Sequence, residues 1–133
     1  NNFGPIGCEA LATLLQDPNS NLHRLSLGGS SNLEDNCAYV IANSLRGNSK
    51  LTHLALLSNQ SITGSVWDAF SKVLCDTSSI TATYCSNHTL DKIGYSYPLP
   101  ANVRDLLELN ECSNKEQVAV QKILHYHSHL DME

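Results

Sequence analysis

Apolar positions along this chain fall into two alternating patterns. Leu22-His23-Arg24-Leu25-Ser26-Leu27 recurs 29 residues later as Leu51-Thr52-His53-Leu54-Ala55-Leu56. The same step leads to a degraded copy, Ile80-Thr81-Ala82-Thr83-Tyr84-Cys85. Alternation of this kind predicts short strands with Leu25, Leu27, Leu54 and Leu56 turned inward. Between the strands the spacing changes to i, i+3, i+4, i+7. Cys8, Leu11, Ala12 and Leu15 share one helical face, as do Ala38, Ile41, Ala42 and Leu45, and then Trp67, Phe70, Ser71 and Leu74. Two periodicities that share one repeat length predict stacked strand–helix units, none of which buries its apolar face alone.

The regularity fades after Leu90. Pro98-Leu99-Pro100 reads as a stiff connector. Val103, Leu106 and Leu107 predict a helix, and Ser113-Asn114-Lys115-Glu116 reads as the capping box of another. Val118, Ala119, Val120, Ile123 and Leu124 give that last helix a broad apolar side. The expected organisation is therefore repeats over residues 1–90, the first incomplete because Phe3 aligns with Leu33 and Ile62, and a helical C-terminal cap over 91–133.

The motif Leu51-Thr52-His53-Leu54-Ala55-Leu56-Leu57-Ser58-Asn59, with the helix face in Ile6-Gly7-Cys8-Glu9-Ala10-Leu11-Ala12, resembles the ribonuclease-inhibitor-like class of leucine-rich repeats. The closing stretch, Ser86–Leu90 to Lys122–His127, is similar to the ends of leucine-rich-repeat proteins abundant in unicellular algae. The resemblance implies an α/β solenoid, with parallel strands on the concave side and helices on the convex side. It also implies binding of a partner protein through the concave face. Outward positions there include Arg24, Ser26, His53, Leu57 and Tyr84, which are the expected partner-binding residues.

Charge and composition narrow the choice of partner. At 41% apolar and 16% charged, the chain has the makeup of a globular domain. A net charge of −5 without a Lys/Arg cluster argues against nucleic acid. Apolar runs are too short for a bilayer-spanning helix. Cys8, Cys37, Cys75, Cys85 and Cys112 form no C-x-x-C pair and suggest free cysteines in a cytoplasmic protein. The sequons Asn59-Gln60-Ser61 and Asn87-His88-Thr89 point weakly toward secretion.

No motif for catalysis or a cofactor emerges. Gly28-Gly29-Ser30-Ser31 lacks the lysine of a phosphate loop, and there is no G-x-S-x-G elbow. Two other functions stay open. One is a GTPase-activating regulator of the same repeat type, acting through Arg24 or Asn59. The other is metal binding through His125, His127 and His129, the first and last of which are i and i+4 on a continuing helix.

Overall fold

A computed structural model describes residues 5–27, 35–56 and 62–127. Helix α1 (Pro5–Gln16) leads into strand β1 (Arg24–Ser26), and α2 (Asp35–Ser44) into β2 (His53–Ala55). There follow α3 (Gly64–Leu74), α4 (Ile80–Tyr84), β3 (Lys92–Gly94), α5 (Ala101–Leu109) and α6 (Lys115–Tyr126). The strands form one parallel sheet in the order β1-β2-β3. Leu25 stands opposite Leu54, and Leu54 opposite Ile93. Helices α1, α2 and α3 pack side by side, α5 lies against α3, and α6 against α4.

The helical faces read from the spacing do bury. Cys8, Ala12 and Leu15, then Ala38, Ile41, Ala42 and Leu45, then Trp67, Phe70 and Leu74 join Leu27, Leu51, Leu54 and Leu56 in the core. Aromatic rings thicken that core at its far end. Trp67 meets Phe70 at 5.6 Å and the edge of Tyr95 at 5.2 Å, and Tyr95 meets Tyr97 at 5.6 Å.

The expectation of a leucine-rich-repeat solenoid with a constant 29-residue step is corrected. What forms, among the described residues, is a small domain of six helices around a short three-stranded sheet, and the strand step holds only from β1 to β2. Leu54 pairs with Ile93, 39 residues on. The anticipated third strand at Ile80–Cys85 is instead α4. The reason is local. The Ser79 hydroxyl accepts from the Ala82 amide at 2.9 Å and caps a helical turn there. Leu90 and Ile93 then fill the places that Leu51 and Leu54 hold in the preceding unit, all four being buried. β3 pairs with β2, so residues on both sides of the expected 90/91 division share one sheet and one core.

Strand position is set by buried asparagines. Asn48 Oδ1 accepts from the amides of Lys50 and Leu51 at 2.9 and 2.8 Å, and its Nδ2 donates to the Leu15 carbonyl at 2.9 Å. Asn87 does the same one unit later. Its Oδ1 accepts from Thr89 and Leu90, and its Nδ2 donates to the carbonyls of Leu45 and Asn48 at 2.8 and 3.0 Å. Asn110 continues the series by donating to the carbonyls of Asn87 and Leu90. No strand follows Asn110, so its Oδ1 stays without a partner among the described residues. Asn87 is 2% exposed with both ends of its amide engaged, so the folded chain offers no glycosylation acceptor there.

Three further expectations change. Cys8 and Cys37 are joined by a disulfide that staples α1 to α2, where free thiols were expected. The side-by-side packing of α1 and α2 brings the two cysteine Cα atoms within 5.8 Å. With that pair bridged, the cysteines no longer argue for a reducing compartment. The last helix is capped by Asn114, whose side chain accepts from Gln117, rather than by a Ser113 box. Val118 and Ala119 are buried as expected, but Val120 and Leu124 are exposed, and the third buried position of α6 is Lys122.

Two outcomes check this account. Asn87→Ala strips donors or acceptors from four backbone groups and is expected to cost about 3 kcal/mol or more in denaturant melts. A cost below about 1 kcal/mol would refute the role assigned to the asparagine series. Cys8→Ser opens a loop of 29 residues and is expected to lower stability by about 3 kcal/mol under non-reducing conditions, with wild type converging on the variant in dithiothreitol.

Candidate functional site

The sheet buries one face and exposes the other. Leu54 and Ile93 turn into the core and Leu25 packs against it, which leaves Arg24 and Ser26, His53 and Ala55, and Lys92 and Gly94 pointing outward. Cross-strand register sorts these six into two rows. Arg24, His53 and Lys92 stand opposite one another, as do Ser26, Ala55 and Gly94. The first row is long and basic; the second is small. Together they line a depression of about 420 Å³ floored by the strand backbone.

Two of these side chains are partly held. The Thr52 hydroxyl lies 2.8 Å from His53 Nδ1, which orients the ring. Lys92 Nζ donates to Glu111 at 2.6 Å from the rim, with both side chains about half exposed. The Glu111 carboxylate stabilises the ammonium and raises the Lys92 pKa above its ordinary value. As an exposed pair it adds little to stability.

Of the expected partner-binding residues, Arg24, Ser26 and His53 meet on this face. Tyr84 does not. It sits exposed on α4, away from the strands, because the third strand begins after it. Leu57, like Asn59, lies outside the described residues. Gly94 takes the place expected for Tyr84, and Lys92 joins the row of Arg24 and His53. The signal for them was Asn87-x-x-Leu90-x-x-Ile93, which matches Asn48-x-x-Leu51-x-x-Leu54.

The histidine run divides. His127 is buried, with Nε2 2.8 Å from the Thr83 hydroxyl, while the His125 ring stacks edge-on with Tyr126. His129 lies outside the described residues. Among the described residues no group of three or more His, Cys, Asp or Glu side chains is placed to hold a metal ion.

A second polar cluster lies under α6. Lys122 is fully buried, and its Nζ reaches the Leu74 carbonyl at 2.7 Å, the Asn87 carbonyl at 3.2 Å and His88 Nδ1 at 3.0 Å. His88 Nε2 lies 2.9 Å from the Tyr84 carbonyl, which only a protonated Nε2 can satisfy. Nδ1 of the neutral ring is then an acceptor. Lys122 thus faces three acceptors, the number an ammonium serves and a neutral amine does not. Burial works against that charge and brings the Lys122 pKa down to about 7, with Lys115 lowering it further and Cys75 opposing. Burial likewise lowers the His88 pKa, and it pushes the Cys75 thiol up, so the latter is poorly disposed to act as a nucleophile. Cys75 also borders a hollow of about 460 Å³ between α3, α5 and α6, beside Asp68, Lys72, Asp76 and Tyr126.

No protein-family model matches the chain, and no curated protein matches it. Among solved structures, one titled "Leiomodin-1 Actin-Binding Site 2 (ABS2)" is similar at 21% identity and a TM-score of 0.45, covering 92% of this chain and 75% of that one. A likeness of that degree assigns neither fold nor ligand here. No helix among the described residues is long and apolar enough to cross a membrane.

The depressed Lys122 value has a consequence in pH. Between about pH 7 and its ordinary value of 10.5, the unfolded chain holds a proton that the folded chain has released. Folded stability contributed by this group therefore rises with pH across that window. Denaturant melts of wild type and Lys122→Met at pH 6.5, 8 and 9.5 are expected to move in favour of wild type as pH increases. A difference independent of pH would contradict the assignment.

Proposed function

We propose that this domain is a non-catalytic interaction module that binds a partner protein on the exposed face of its sheet. The observation that carries the reading is the two-row arrangement. Small side chains at Ser26, Ala55 and Gly94 let a partner approach the strand backbone, and Arg24, His53 and Lys92 frame that approach with donors. Both rows stand on a sheet whose other face is core, so the strand backbone and the small side chains are held in place before a partner arrives, which reduces the entropy cost of association. Arginine is also a frequent anchor of protein interfaces.

Site-specific photo-cross-linking tests the surface. A benzoylphenylalanine at Ala55 is expected to capture a partner protein from the native cell, whereas one at Gln121, exposed on α6, is expected not to. Circular dichroism first establishes that both proteins are folded. Capture from position 121 alone, or from neither, would remove the sheet face as the binding surface.

A further inference from the structure

We infer that the row Arg24–His53–Lys92 receives an acidic polypeptide segment laid across the three strands, and that Glu111 competes for the same cations from within the chain. This rests on the sheet-face reading and goes beyond it by naming the partner's chemistry. The chain carries 8 Lys and Arg against 13 Asp and Glu, yet the eight residues that line the depression include two of those cations, a histidine and no carboxylate. The depression itself thus presents cations with no carboxylate in its lining, while Glu111, Asp91 and Glu108 act on Lys92 from outside it.

Geometry favours an extended chain. Neighbouring strands lie roughly 4.8 Å apart, so the row spans roughly 10 Å, room for two side chains at alternate positions of an extended segment, roughly 6.7 Å apart. Ser26, Ala55 and Gly94 leave room beside the row for the backbone of that segment. Glu111 already places one carboxylate oxygen 2.6 Å from Lys92 Nζ, which shows that a carboxylate can reach the end of the row. A long polyanion suits the site less well. A single row of three offers a small phosphate footprint, and the rest of the chain repels it.

Fluorescence anisotropy with defined probes decides the matter. The probes are an eight-residue peptide alternating Glu and Ala, the same peptide with Gln for Glu, and a single-stranded DNA 12-mer. Wild type is expected to bind the Glu peptide at least tenfold more tightly than the Gln peptide. Arg24→Gln with Lys92→Gln is expected to lose that tenfold, while Lys72→Gln with Arg104→Gln, an equal change in charge elsewhere, stays within twofold. Glu111→Gln is expected to tighten binding about threefold, and Glu116→Gln, again of equal charge, to leave it unchanged.

Equal binding of the Glu and Gln peptides, or equal losses in the two double variants, would overturn the proposal. Equal effects of the two glutamate variants would overturn the part given to Glu111. DNA binding as tight as that of the Glu peptide would assign the row to phosphates and overturn it as well. Continued cross-linking from position 55 alongside any of these results would leave the sheet face standing as the binding surface and reject only the acidic partner.

Discussion

Backbone amides at the start of a buried strand must find acceptors inside the protein, and for β2 and β3 buried asparagines supply them. Asn48 and Asn87 each accept two amide hydrogens from the residues that enter β2 and β3. Each also donates back to carbonyls of the preceding unit. One amide side chain thus fixes a strand's entry and its distance from its neighbour. A leucine in that position would fill the space and leave buried backbone groups unpaired, a larger penalty than any packing it added. Asn110 ends the series, since the chain turns into α6 instead of a further strand.

Closure of that last edge falls to α6, which buries the Lys122 amine alongside the apolar Val118 and Ala119. Lys122 donates to the final turn of α3 through the Leu74 carbonyl and to the asparagine series through the Asn87 carbonyl. His127 reaches Thr83 on α4 nearby. The arrangement gives the Leu74 carbonyl a donor and the Asn87 carbonyl a second one beside Asn110, and desolvation of the ammonium is the cost. At the sheet, by contrast, Lys92 and Arg24 stay hydrated. Lys92 shares its charge with Glu111 at the rim, in an exposed pair that solvent screens.

Much of the fold was legible in spacing alone. Three helical faces and the first two strands follow from where apolar residues fall, and these describe residues that bury. The third strand was misplaced because a constant step was imposed on Ile80–Cys85, whose alternation is that of a strand but whose Ser79 caps a helix. The asparagine at position 87 marked the true entry, ten residues later than a regular step would put it. Tyr84 was carried onto the sheet by the same slip, and Lys92 was left off it. Neither the Cys8–Cys37 bridge nor the burial of Lys122 could be read from spacing. The first depends on two helices meeting side by side, and the second on carbonyls that only the folded loops bring together. At the candidate site, Arg24, Ser26 and His53 followed from strand alternation, whereas their pairing with Lys92 needed the register.

The chain holds a single tryptophan, and the fold puts it where the last unit joins the rest. Trp67 leans on Phe70 within its own helix and on Tyr95 just beyond β3. Its emission therefore reports on the packing around α3, the junction with the third strand included. Because the indole is shielded from water in the folded chain, a red-shifted spectrum would signal that this packing has opened. The protein carries its own optical gauge for the part of its architecture that departs from regular spacing.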